Sequence, residues 1–248
     1  MKKEVMVDMT SGRIAPQILR FAMPVLLGLV FQRIYNVAVS YIVGHCVVGI
    51  AMAACSVAGV GMYLVFSLII GLTTGVTVVM SQYYGAKEED KVVKTFFSSI
   101  FIALGMTILV TVIGLLMTRP LLIVLQTPAE VLDAAVLYLR IICAGSVGTM
   151  LYNWISAVLR SLGNSVVPLI FLGISSLLNI VFDILFVAVI PMGVGGAAFA
   201  TVLAQIISGV ACLLYAWKIL PMLRIRRDKL KLDTYIGKQM LVYGLPAA

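Results

Sequence analysis

Long apolar runs separated by short polar stretches set the organisation of this chain. Six of them stand out, over residues 18–43, 51–80, 96–117, 134–159, 166–190 and 194–220. Each exceeds the roughly 20 apolar residues that a helix needs to cross the hydrocarbon core of a bilayer. The pattern therefore predicts an all-α membrane protein built as a six-transmembrane-helix bundle. Several runs are longer than the minimum, which permits tilt or a break. The first contains Pro24, whose ring removes a backbone donor and favours a bend there.

Composition agrees that the solvent is lipid. Hydrophobic residues make up 62% of the 248, charged residues only 11%, and the mean hydropathy is +1.13. A water-soluble domain with these values would expose large apolar patches. The formal net charge of +8 invites a nucleic-acid reading, but the basic residues lie in short clusters between the apolar runs and form no stripe interleaved with aromatics. They read as topology instead. With the N-terminus inside, alternate loops collect Lys2, Lys3, Arg13, Arg20, Lys87, Lys91, Lys94, Arg160, Lys218, Arg224, Arg226, Arg227, Lys229, Lys231 and Lys238, fifteen of the eighteen basic residues. Arg119 alone falls outside, and Arg33 and Arg140 lie in or near spans. By the positive-inside rule this skew predicts a multi-pass protein of the cell membrane with both termini in the cytoplasm.

Of the ten acidic residues, nine fall in tails and loops; Asp183 lies deep in the fifth run. A charged carboxylate there costs several kcal/mol unless it faces a polar cavity or is protonated, so Asp183 is a natural proton carrier. Asn179, four residues earlier, shares its helical face and is placed to hydrogen-bond the carboxyl group. The competing reading is a buried polar pair that only holds helices together. In the first run Gln32, Asn36 and Ser40 recur at four-residue steps beside Arg33 and Tyr35. Such a stripe either lines a water-filled cavity or packs against a neighbouring helix, and Asn153 in the fourth run is open to the same two readings.

Gly71 and Gly75 in the second run form a small-xxx-small step, which predicts close helix packing. The thirteen methionines, scattered through apolar helices, read as gap-filling side chains rather than soft-metal ligands. Cys46, Cys55, Cys143 and Cys212 are spread singly with one histidine, His45, so neither structural zinc nor a disulfide framework is expected. Phosphate-binding loops, nucleophile elbows, zinc-protease motifs and paired acids are absent from the sequence, so an enzyme is not expected.

Near the end, Gln239 to Ala248 echoes Gln17 to Leu26: Gln, Leu, an aromatic, a small residue and Pro recur in step. Either two amphipathic helix starts coincide by chance, or a second, related bundle begins where the first six-helix unit has finished.

Several stretches together resemble the N-terminal half of the multidrug and toxic compound extrusion (MATE) transporters. They are Phe21-Ala-Met-Pro-Val-Leu-Leu-Gly28 with Tyr35-Asn36 and Val43-Gly44, and Ser81-Gln-Tyr-Tyr-Gly-Ala-Lys87. Further on come Tyr152-Asn153, Ala157-Val-Leu-Arg-Ser-Leu-Gly163 with Pro168, Leu178-Asn179 with Asp183, and Gly193-Val-Gly-Gly-Ala-Ala198 with Ala200-Thr201 and Gln205. The resemblance implies one lobe of a twelve-helix, two-lobed antiporter that exports small, mostly cationic and amphipathic compounds in exchange for H⁺ or Na⁺, with no cofactor beyond the coupling ion. It implies a lobe cavity lined by the Asn36 region (Gln32, Tyr35, Asn36, Ser40), Asn153, Asn179 and Asp183. Asp183 would be the ion-coupling carboxylate, with any Na⁺ held near it. On this reading residues 1–16 form a cytoplasmic tail, 17–220 the six-helix lobe, and 221–248 a basic linker with the start of the second lobe. The missing lobe, or a partner half, becomes a necessary partner. The chain departs from the family where relatives often carry a second acid and it has Val39, and at Gly44-His45 and Gly163-Asn164. The alternatives are a lipid-linked saccharide flippase of the same superfamily, or a half-size or truncated membrane module that does not transport.

Overall fold

A computed structural model describes residues 14–46, 50–220 and 233–247. It is a bundle of helices: α1 (Ile14–Cys46), α2 (Ile50–Gly85), α3 (Glu89–Val124), α4 (Ala129–Ala144), α5 (Ser146–Ser161), α6 (Val166–Asp183), α7 (Gly193–Ile219) and α8 (Thr234–Gly244). A π-helical segment, Ile184–Val189, continues α6, and a 3₁₀ turn, Leu245–Ala247, ends α8. Five of these units are long and apolar enough to cross a membrane, and α4 with α5 makes a sixth crossing bent by 49°. Large apolar side chains such as Leu104, Ile108, Leu116, Leu177 and Val181 point outward and exposed. Only hydrocarbon makes such a surface stable, so the chain is a multi-pass membrane protein.

The fourth apolar run reads as one span from its sequence, yet the structure breaks it. Gly145 is the corner. A Cβ there would lie 2.3 Å from both methyl carbons of Val202, and one on Gly148 would lie 2.6 Å from Cγ1 of Ile206. These glycines let α5 lie directly against α7. Gly209 does the same from the α7 side, since a Cβ there would lie 3.1 Å from the Tyr152 nitrogen. The bend thus follows from a tertiary approach rather than from a local helix breaker. In the fifth run the helix changes pitch after Asp183, where the Ile190 amide reaches back five residues to the Leu185 carbonyl.

The buried core includes Ile69, Val76 and Met80 of α2, Phe97 of α3, Ile155 and Leu159 of α5, and Met240 of α8. Phe96 packs on Trp154 with ring centroids 5.3 Å apart, and the Trp154 indole N–H donates to Ser99 Oγ at 2.8 Å. This satisfies the one polar atom of an otherwise apolar anchor.

The packing expected of Gly71 and Gly75 is present, and its partner is α8. A Cβ on Gly75 would stand 2.0 Å from the Met240 carbonyl oxygen, and one on Gly244 would stand 2.6 Å from that of Gly71. Asp233 caps α8, its Oδ1 accepting from the Tyr235 and Ile236 amides, while its own amide donates to Ser98 Oγ at 2.9 Å. Tyr83 donates to Gln239 Oε1 at 3.1 Å. The segment that echoes the start of α1 is therefore seated on α2, and the N-terminal end of α8 is held to α3. Residues 221–232, assigned to the basic linker, lie outside the described residues, as do residues 1–13 of the tail.

Candidate functional site

Polar side chains gather at two places in the bundle. The first lies between α6 and α7. Ser175, Asn179 and Asp183 fall on one face of α6 at steps of four, and all are buried, Asp183 completely. Opposite them, Thr201, Gln205 and Ser208 occupy one face of α7 at steps of four and three. The Asn179 amide donates to Thr201 Oγ1 at 3.2 Å, and Thr201 in turn donates to the Ala197 carbonyl at 3.0 Å. Gln205 Oε1 and Ser208 Oγ are buried without a hydrogen-bond partner among the described residues. A carboxyl, an amide and a hydroxyl thus share one buried seam in an otherwise apolar bundle. Oxygen donors of this kind suit a proton or a hard cation. Among the described residues no group of three or more His, Cys, Asp or Glu side chains comes together.

The second place is a cavity of about 140 Å³ between α1, α5 and α6, with Gln32, Tyr152, Asn153, Arg160 and Ser165 on its wall. Gln32 and Gly28 sit one turn apart on α1, and Asn153 and Arg160 two turns apart on α5, so each helix turns one face to the space. Tyr152 donates to the Pro168 carbonyl at 2.9 Å and Asn153 to the Thr149 carbonyl at 2.8 Å. The end of α5 is a Schellman turn. Gly163 has φ 84°, the Asn164 amide reaches the Leu159 carbonyl and the Gly163 amide that of Arg160. Asn164 Oδ1 then accepts from the Val167 amide at 3.1 Å, opening α6.

The residues named from sequence therefore divide. Gln32 and Asn153 line the cavity, whereas Asn179 and Asp183 belong to the buried seam. Leu172, the cavity residue nearest the seam along α6, is eleven residues from Asp183, about 16 Å at the helical rise. The side chains of Tyr35, Asn36 and Ser40 lie outside the described residues. Thr201, Tyr152 and Arg160 fall in stretches quoted for the resemblance but are not among the candidate site residues expected from sequence. The seven-residue step from Asn153 to Arg160 is the signal that puts Arg160 on the cavity face.

The MatE family model matches residues 24–185. The chain is 33% identical over 245 residues to the probable multidrug resistance protein YpnP of Bacillus subtilis, covering 95% of this chain and 55% of that protein. It is 26% identical over 239 residues to the probable multidrug resistance protein NorM of Thermotoga maritima, covering 95% and 51%. A crystal structure of MATE in complex with MaL6 superposes with a TM-score of 0.89 at 23% identity, over 100% of this chain and 54% of that one. An outward-facing MATE family transporter gives 0.85 at 24%, over 93% and 51%. The chain belongs to the MatE family, the MATE transporters, and spans about half the length of the curated relatives it matches.

Proposed function

We propose that this chain is one lobe of an ion-coupled exporter of small amphipathic, mostly cationic compounds, with Asp183 as the coupling carboxylate. The observation that carries the reading is the complete burial of Asp183 beside Asn179, facing a seam of α7 hydroxyl and amide groups inside a lipid-soluble bundle. A carboxylate in that position exchanges a proton or Na⁺ at a cost set by its surroundings, and a conformational change that alters those surroundings alters ion affinity. Gln32 and Asn153, with Tyr35, Asn36 and Ser40 of α1, would supply the substrate side of the lobe.

Alternating access requires two lobes moving about a shared site. The 248-residue chain expressed alone is expected to give no ion-driven efflux in inside-out vesicles. Joined to a second lobe, it is expected to release protons or Na⁺ when substrate is added. Ion release by the lone chain equal to that of the two-lobed protein would exclude the shared-site reading. It would favour a half-size transporter instead.

The same reading places the α2–α3 turn and the ends of α5 and α7 in the cytoplasm and the α3–α4 turn outside. In a variant lacking the native cysteines, a cysteine at Arg119 is expected to react with a membrane-impermeant maleimide added to intact cells, and one at Lys87 only after permeabilisation. Arg119 is half exposed and pairs with Asp133 at 3.4 Å. The reverse pattern would invert the orientation.

A further inference from the structure

Among the described residues, Arg160 is the one charged side chain on the wall of the α1/α5/α6 cavity. It is half-buried in the last turn of α5, and neither an ion pair nor a hydrogen bond from its guanidinium occurs among the described residues. Nothing nearby in the three helices can neutralise it. α1 and α5 contain no Asp or Glu, and Asp183, the single acid of α6, is about 16 Å along the helix from the last cavity residue. The α5–α6 connection offers Asn164 rather than an acid. Its Oδ1 is already taken by the Val167 amide, and its Nδ2, in a residue 1% exposed, is without a partner among the described residues.

A half-buried guanidinium has lost part of its hydration, and with no counter-charge among the described residues it is stabilised by a bound anion. Its planar fork matches the two oxygens of a carboxylate or phosphate. The rest of the wall suits such a guest. Gln32, Asn153 and Ser165 are neutral polar groups, Leu169 and Leu172 offer apolar surface, and Gly28 leaves room that a side chain would fill, since a Cβ there would lie 3.2 Å from Leu169 Cδ1.

We propose that this cavity binds an oxyanion, a carboxylate or phosphate carried on a small amphipathic body or on a lipid headgroup, with Arg160 as the residue that recognises its charge. The site lies at the end of the lobe assigned to the cytoplasm, where a compound leaving the cell first meets the protein. It deepens the exporter reading by giving the lobe two ends of opposite preference, Arg160 for anionic groups and Asp183 for cations. Its test is a binding measurement that does not depend on transport.

The purified 248-residue chain in uncharged detergent is titrated with 4-fluorobenzoate and with the size-matched cation 4-fluorobenzylammonium, each followed by fluorine NMR line width. Glu4, Asp8 and Asp228 lie outside the described residues, so the E4Q/D8N/D228N chain is titrated alongside, and saturable anion binding by either chain supports the site. The benzoate is expected to bind at least about tenfold more tightly than the ammonium. Arg160→Gln is expected to weaken it by about the same factor, and Gly28→Val to block it with the arginine still present. Arg119→Gln, at the α3–α4 end, leaves it unchanged. Circular dichroism checks folding, and should Arg160→Gln not fold, the charge preference together with Gly28→Val decides. Displacement by inorganic phosphate assigns a soluble oxyanion, and displacement by dihexanoyl phosphatidylglycerol below its micellar concentration assigns a headgroup. Equal affinity for the two probes, or benzoate binding untouched by Arg160→Gln and Gly28→Val, overturns the proposal.

Discussion

Asp183→Asn is expected to lower ion-driven efflux by the two-lobed protein on the order of 100-fold, near the upper end of typical coupling free energies. The substitution keeps the shape of the side chain and its capacity to accept a hydrogen bond. It removes the ionisable group. Asp183 is completely buried at the junction between α6 and its π-helical continuation. Among the described residues α7, which faces it, carries no acid. Efflux is measured in inside-out vesicles under an imposed proton gradient and, separately, an imposed Na⁺ gradient. The wild type identifies the coupling ion, and the variant is expected to lose that response while substrate still binds. Thr201→Val, which removes the hydroxyl that receives the Asn179 amide, is expected to have a smaller effect because the carboxyl remains. Efflux by Asp183→Asn at the wild-type rate under both gradients would remove Asp183 from the coupling role.

The sequence displays the six crossings because lipid imposes a simple rule. Every backbone polar group must be satisfied within its own segment, so each crossing shows as an uninterrupted apolar run. What that rule does not encode is where a helix bends. The corner at Gly145 exists because Val202, 57 positions later, occupies the volume a side chain would need. One more glycine among the 21 carries no mark of that. The change of pitch after Asp183 is equally silent, since shifting a hydrogen bond from four residues to five leaves the hydrophobic pattern intact. By contrast, the close step of Gly71 and Gly75 was legible as a packing face, although the pattern could not name α8 as the helix that uses it.

The site was legible where an energetic cost is attached to a residue type. A buried acid in a membrane helix is expensive whatever its neighbours, and this singles out Asp183 from the chain alone. Asn179 follows from spacing on the same face, but its amide contact to Thr201 joins two helices and belongs to tertiary structure. Arg160 shows the reverse case. Counting it with the cytoplasmic loops supports the topology and hides its position on a cavity wall. A long basic side chain near a helix end serves both roles, because its stem can lie along apolar surface while its head reaches a polar space.

Gly75→Leu is expected to unseat α8 from the bundle. The Cβ alone would come within 2.0 Å of the Met240 carbonyl oxygen and 2.9 Å of its carbon, and a backbone atom cannot rotate aside as a side chain can. Overpacking commonly costs about 1–3 kcal/mol, and here the cheaper relief is separation of the two helices. Separation would also break the Tyr83–Gln239 hydrogen bond and uncover Met240, which is fully buried. Hydrogen exchange of the α8 amides is expected to accelerate on the order of 100-fold, the signature of a local opening made easier by about 3 kcal/mol. The α5 and α7 amides, which pack through Gly145, Gly148 and Gly209, are expected to keep their protection. Gly105→Leu is the control, because a Cβ on Gly105 meets nothing within 4 Å, and it is expected to leave exchange unchanged. Equal protection of α8 in the Gly75→Leu and Gly105→Leu chains would show that the α2 notch does not hold α8. Retained protection of α8 at Gly75→Leu, with the unfolding temperature of the wild type, would show the same.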